Sequence, residues 1–232
     1  MNPAILVTGT DTGVGKTVAA AALAAAARAG VMKPIGCGLA PGETEHADTR
    51  FLRGNAKVSD LPSEVTPVVF KAFRAPLVAA RLEGKDVDLA IVWKTMEVLR
   101  RRHRALVVEG VGGVRVPIRE GYEVRDFAKE AGLLVLIVAR SGLGTMNHTA
   151  LTAEALAAKG IPVLGFLFND GASPVGDDLA SENAEALKAM TGLPFLGRVR
   201  PDPLVAEGRL SPATVAALKP AAERWLGAAR EA

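Results

Sequence analysis

Short apolar runs alternate with longer segments of helical periodicity along most of the chain. Ala4–Thr8, Ala105–Val108, Leu133–Ala139 and Pro162–Phe168 are rich in Val, Ile and Leu and show no polar alternation. Runs of this kind are strands covered on both faces, which a parallel sheet requires. Between them the spacing predicts helices over Lys16–Ala29, Asp88–His103, Val124–Ala131, Asn147–Lys159 and Asp178–Met190. In the second of these, Leu89, Val92, Met96 and Leu99 mark one buried stripe. Gly30, Gly132, Gly160 and Gly192 follow four of the predicted helices, as residues suited to a left-handed cap do. A weaker strand at Phe195–Val199 and a helix over Pro212–Ala229 complete the pattern. The alternation predicts an α/β fold, a single doubly wound and mainly parallel sheet with helices on both faces. Without internal repeats or a low-complexity linker, residues 1–232 read as one domain. The Pro- and Gly-rich stretch from Gly36 to Pro76 is the least regular, and such loops in α/β folds tend to hold ligands.

Composition narrows the class. Hydrophobic residues make up 49% and charged residues 23% of the 232 positions, a globular balance. The longest apolar stretches, Val18–Ala27 and Leu133–Ala139, are shorter than the roughly 20 residues that cross a bilayer. Met1–Thr10 has no basic start and small-residue cleavage pattern, so a cytoplasmic protein with no membrane partner is expected. The one cysteine, Cys37, excludes an intrachain disulfide and a thiolate metal cluster. The net charge of +3 leaves one basic cluster, Arg100-Arg101-Arg102-His103-Arg104, at the end of a predicted helix, where cations complement the dipole. Aromatics are only 4% of the chain, too few to stack bases beside those arginines, so nucleic acid is not an expected partner.

The first strand runs directly into Gly9-Thr10-Asp11-Thr12-Gly13-Val14-Gly15-Lys16-Thr17, and an Ala-rich helix follows. Glycines let backbone N–H groups turn inward, and a helix N-terminus aims its positive end at an anion. Lys16 supplies a cation for β- and γ-phosphates, and the Thr17 hydroxyl is placed to ligate Mg²⁺. Five residues separate Gly9 from Gly15, one more than in the common phosphate loop. The second component expected of such a site is an acid near that metal, at the end of a neighbouring strand. Ala105-Leu106-Val107-Val108 delivers Glu109 to such an edge, with Gly110-Val111-Gly112-Gly113 behind it.

Together these blocks resemble the dethiobiotin synthase family, P-loop ATP-dependent enzymes that close the ureido ring of biotin's precursor. The resemblance is carried by Thr8-Gly9-Thr10-Asp11-Thr12, Val14-Gly15-Lys16-Thr17, Lys33-Pro34-Ile35 and Val108 to Gly113. Leu143-Gly144-Thr145-Met146-Asn147-His148 and Phe168-Asn169-Asp170 extend it over nearly the whole chain. The resemblance implies ATP, CO₂ and 7,8-diaminopelargonate as substrates, Mg²⁺ as cofactor, and a homodimer. It implies catalytic roles for Lys16 and Lys33, the latter between γ-phosphate and carbamate, and a metal site of Thr17, Asp48 and Glu109. ATP would be held by Gly13, Val14, Gly15, Lys16, Thr17, Val18, Asp48, Glu109, Gly110, Val111 and Gly112. Asp170 would also bind ATP, Asn169 would read the adenine, and the Arg200-Pro201-Asp202 segment would lie along the base. Thr12, Cys37, Gly112 and Asn147 would contact the second substrate, Asn147 from a helix start at the subunit interface.

Independent chemistry agrees, because phosphoryl transfer is mainly positioning and electrostatics, for which two lysines and a metal are suitable parts. Three features depart from the family pattern. Gly13 replaces a glutamate, Cys37 stands where a hydroxyl residue is usual, and Gly30-Val31-Met32 leaves little room for a second strand. Cys37 reads equally as a small buried residue, His46 as a solvated loop residue, and Asp177-Asp178 as a helix cap. The alternative function is a switch ATPase of the partition or site-selection type. Those carry an extra lysine early in the loop, where Asp11 stands here, and Pro212–Ala232 lacks a strongly basic amphipathic face. Amidotransferase-type synthetases need a glutaminase cysteine that this chain cannot supply. Lys16→Ala and Lys33→Ala are expected to abolish ring closure while sparing the fold.

Overall fold

The computed structural model describes residues 2–171 and 174–231. In chain order the elements are β1 (Ala4–Gly9), α1 (Lys16–Ala27), β2 (Gly30–Met32), β3 (Ile35–Cys37), α2 (Ala47–Ala56), α3 (Pro62–Val65) and β4 (Val68–Phe70). There follow α4 (Pro76–Leu82), α5 (Leu89–Arg102), β5 (Leu106–Gly113), β6 (Pro117–Arg119), β7 (Tyr122–Glu123), α6 (Val124–Glu130) and β8 (Leu134–Ala139). The chain continues with α7 (Thr145–Ala157), β9 (Val163–Asn169), α8 (Asp177–Thr191), β10 (Phe195–Val199), α9 (Pro212–Ala217) and α10 (Lys219–Glu231).

Six strands form one parallel sheet in the order β10-β9-β8-β1-β5-β2. From β1 the chain first builds outward to β2, returns through β5, and then crosses to β8, β9 and β10. The direction of winding reverses at β1, and the crevice beyond the carboxyl end of such a strand is where open α/β sheets bind ligands. That end is the phosphate loop.

Strict alternation explains the two cores. Ile5 and Val7 face one side of β1 with Val107, Leu136 and Val138, while Ala4 and Leu6 face the other with Leu106, Val108, Val135 and Ile137. Helices α5, α6, α7 and α8 cover the second face, and α1 and α10 the first, with Trp225 fully buried. Helix α1 is buried from Ala19 to Ala24 at 0% exposure, so its alanines let it lie close against the sheet. Leu89, Val92, Met96 and Leu99 form the predicted stripe of α5, and Arg100, Arg101 and Arg102 occupy its last turn.

Several boundaries differ from the sequence reading. Helix α1 stops at Ala27 because Arg28 itself adopts the left-handed conformation (φ 50°), and Gly30 opens β2 instead of capping the helix. Strand β5 does not end at Val108; pairing with β1 continues until Gly113 meets Gly9, so Glu109 lies within the strand. The predicted Pro212–Ala229 helix is two helices separated at Leu218, just before Pro220. Helix α7 begins two residues before Asn147, at Thr145. In α8 Gly176 is the cap, and Asp177 in the first turn pairs instead with Arg198 and Arg200. The irregular Gly36–Pro76 stretch contains α2, α3 and a small parallel sheet of β3 and β4. Among the described residues, no helix is long and apolar enough to cross a membrane.

Candidate active site

The phosphate loop wraps the N-terminus of α1. Gly13 (φ 75°) and Gly15 (φ 86°) take left-handed conformations, and Gly15 is the helix N-cap. Neither a side-chain cap nor an acid in the first turn satisfies the N–H groups of α1, which leaves them for an anion. Lys16 folds back over the loop, its Nζ donating to the Asp11 carbonyl at 3.0 Å. It is buried, and burial lowers its pKa against the opposing pull of Glu109.

Glu109 within β5, Lys33 just after β2 and Asp48 in the first turn of α2 bring their charges beside this loop. Thr17 Oγ1 donates to Glu109 Oε1 at 2.9 Å, and Lys33 Nζ donates to the same oxygen at 2.7 Å. Lys33 Nζ also lies 2.6 Å from Asp48 Oδ2. Burial raises the Glu109 pKa although the Lys33 charge opposes it. Burial alone would lower that of Lys33, but Glu109 and Asp48 raise it above the ordinary lysine value, and the ammonium stays charged. Asp48 is held below the usual carboxylate range by Lys33, against its own desolvation. Glu109 Oε2 is buried and without a hydrogen-bond partner. Thr17, Asp48 and Glu109 thus converge, with Lys33 among them.

His46 differs from expectation. It is 8% exposed and caps α2: the Asp48 N–H donates to Nδ1 at 3.3 Å, and Nε2 contacts the Cys37 carbonyl at 3.0 Å. With Nδ1 accepting, the proton sits on Nε2 and is donated to that carbonyl. The ring therefore ties the end of β3 to the start of α2 and places Asp48 against Lys33. The one available signal was its position two residues before Asp48, where a capping side chain belongs.

Asn169, at the carboxyl end of β9, is buried, and its Nδ2 donates to the carbonyls of Val14 and Gly15 at 3.2 Å each. A groove of about 680 Å³ opens beside it, lined by Gly13, Val14, Val18, Arg140, Arg200 and Pro201 among others. Its size suits a nucleotide. Asp170 and Asp202 reach this region, but their carboxylates are engaged elsewhere. Asp170 accepts from Ser141 Oγ at 2.5 Å and from Arg198 Nε at 2.8 Å. Asp202 accepts from the Ser211 N–H at 2.8 Å and from Thr214 Oγ1 at 2.7 Å. Both shape the wall more than they face the groove.

Of the residues expected on a second substrate, Thr12 and Gly112 come together: a Cβ on Gly112 would stand 3.8 Å from Thr12 Oγ1. Gly110 and Val111 line the backbone between them and Glu109. Cys37 is half-buried on β3, and burial raises its pKa to about 11. Asn147 is exposed in the first turn of α7, flanked by Leu143 at 90% and Leu151 at 55% exposure. Among the described residues no three His, Cys, Asp or Glu side chains converge on one point, so a cation here would draw on two carboxylates and a hydroxyl.

The AAA domain family model matches residues 3–209. The ATP-dependent dethiobiotin synthetase BioD of Anaeromyxobacter dehalogenans is 45% identical over 192 residues, covering 81% of this chain and 85% of that protein. The ATP-dependent dethiobiotin synthetase BioD of Bacillus subtilis is 39% identical over 196 residues, covering 82% and 84%. Among solved structures, the cell division ATPase MinD of Pyrococcus furiosus superposes with a TM-score of 0.58 at 16% identity, over 98% of this chain and all of that one. The ParA family ATPase of Chlorobium tepidum reaches 0.53 at 11% identity, over 100% and 93%. At such identities the structural likeness speaks for the P-loop fold alone.

Proposed function

The chain belongs to the ATP-dependent dethiobiotin synthetase family, and we propose that it joins 7,8-diaminopelargonate and CO₂ into the cyclic urea of dethiobiotin. One substrate amine adds to CO₂ and loses a proton, giving a carbamate. A carbamate oxygen attacks the γ-phosphorus of ATP, ADP leaves, and a carbamoyl phosphate mixed anhydride remains. The second amine attacks its carbonyl carbon and expels phosphate as the five-membered ring closes.

The observation that carries this reading is the Lys33 ammonium beside the phosphate loop, buried and held charged by Asp48 and Glu109. A carbamate and a γ-phosphate are both anionic, and a fixed cation between them lowers their repulsion where charge develops. Lys16, above the N-terminus of α1, neutralises the β- and γ-phosphates, and Asn169, held against the loop carbonyls, borders the groove that would take the base. Thr12, Gly112 and Cys37 line the approach of the diamine.

Mg²⁺ suits this donor set. Thr17, Asp48 and Glu109 offer hard oxygens, and the buried Glu109 Oε2 is free to coordinate. Bound with ATP, the ion would neutralise phosphate charge and fix the phosphate chain. The working form is proposed to be a cytoplasmic homodimer. The exposed Leu143, Met146 and Leu151 around Asn147 support a second copy covering this end of α7, where the N-terminus of that helix suits the substrate's carboxylate.

The test supplies ¹³C-bicarbonate, Mg-ATP and 7,8-diaminopelargonate, and follows labelled dethiobiotin by mass spectrometry. One ADP per ring is expected. ATP hydrolysis that ignores the diamine, or no labelled ring, would overturn the reading.

A further inference from the structure

Arg140 follows the last residue of β8 at the carboxyl edge of the sheet, next to the phosphate loop. The edge and the loop are joined there, because the Thr10 N–H donates to the Val138 carbonyl at 3.0 Å. Arg140 lines the groove together with Gly13, Val14 and Asn169. Its guanidinium is held by an acid of the loop: Nη2 lies 3.1 Å from Asp11 Oδ2, and both side chains are 55% exposed. The other oxygen of Asp11, Oδ1, accepts the Thr12 N–H at 2.6 Å.

We propose that Arg140 is a binding residue for the phosphate chain of the nucleotide, and that Asp11 only parks it at the mouth of the groove. An ion pair this exposed is weak, whereas a guanidinium on phosphate gains two parallel charge-assisted bonds to a more highly charged partner. Gly13, where a side chain would meet nothing within 4 Å, leaves the space in front of the loop open for the arginine to turn. Asp11 stays behind on the Thr12 N–H and preserves the loop. The phosphate site thereby gains a mobile cation from the end of β8, on the groove side of the loop, in addition to Lys16 and Lys33.

This rests on the groove taking ATP, as in the reading above, but it is tested by binding without turnover. Calorimetry would compare ATP and adenosine on the intact chain and on Arg140→Ala, Arg140→Lys and Asp11→Asn, with circular dichroism confirming each fold. Arg140→Ala is expected to weaken ATP by about tenfold or more, the worth of a charge-assisted bond, and to leave adenosine unchanged. Arg140→Lys should recover part of the loss. Asp11→Asn, which keeps an acceptor for the Thr12 N–H, should bind ATP as tightly or more tightly. The proposal is overturned if Arg140→Ala leaves ATP binding intact or weakens adenosine equally. It is also overturned if Asp11→Asn loses as much as Arg140→Ala, since the pair would then be a brace for the loop. A chain that binds ATP as described but never closes the ring would sink the proposed reaction and leave this assignment standing.

Discussion

Lys33 and Glu109 form a buried ion pair, Nζ to Oε1 at 2.7 Å, with side chains only 6% and 1% exposed. Removing one member of such a pair strands the other charge away from water. Lys33→Met is therefore expected to lose ring closure and also about 3 kcal/mol of stability, measured by urea unfolding at neutral pH. This alters the expectation from sequence that the fold would be spared, which took Lys33 for a residue facing only ligand. The double variant Lys33→Met/Glu109→Gln should regain stability but not activity. A single variant as stable as the parent would show that the pair contributes nothing net.

The candidate site was legible in part because its residues sit in contiguous motifs after recognisable strands. The run Leu106–Val108 announces Glu109, and Val7-Thr8-Gly9 announces the loop. What escaped were long-range contacts. The His46 contact with Cys37 joins two elements within a stretch that reads as irregular, because β3 and β4 are three residues each and carry no period long enough to detect. Arg28 is similar. A glycine two residues later looked like the helix stop, but packing of Gly30 under the His103 ring, where a Cβ would come within 2.4 Å, requires that glycine for another reason. Strand β5 ran on past Glu109 because Gly110, Gly112 and Gly113 signal a turn in sequence, while in space they admit the phosphate loop alongside.

Two loop glycines should respond differently to the same substitution. A Cβ on Gly15 would fall 1.6 Å from Asn169 Nδ2, at a φ of 86°, and the asparagine cannot move without releasing the loop carbonyls. Gly15→Ala is expected to lose measurable ATP binding. Gly13 has nothing within 4 Å of its Cβ position and only the left-handed backbone at 75° to resist, a strain of about 1 kcal/mol. Gly13→Ala should thus keep most of its nucleotide affinity with a slightly lower Tm. Equal loss in both would mean that backbone strain, not the Asn169 contact, decides.

Asn169 itself links the loop to β9. Asn169→Ala removes bonds to the Val14 and Gly15 carbonyls, and each such bond contributes about 1 kcal/mol. The KM for ATP should rise about tenfold or more while kcat at saturating ATP changes less, since the side chain is remote from Lys33 chemistry. A fall in kcat with unchanged KM would move Asn169 into the transition state.

Cys37 gives a pH test of the β3 wall. Burial raises its thiol pKa to about 11, against the lowering influence of Lys33 nearby. The thiolate is the reactive form, so alkylation by iodoacetamide should be slow at pH 7. The rate should climb about tenfold per pH unit toward that value. The sign for folding follows from the same shift. Below the unfolded thiol pKa the group is neutral in both states and stability is unaffected. Above it the unfolded chain ionises first, so stability declines as pH rises through the window up to about 11. Cys37→Ser should flatten this component of the alkaline decline without touching the neutral-pH value by more than the loss of a half-buried sulfur. If Cys37 lines the diamine's approach, saturating 7,8-diaminopelargonate should slow alkylation at every pH. Protection by ATP alone and none by the diamine would place the thiol on the nucleotide side of Lys33.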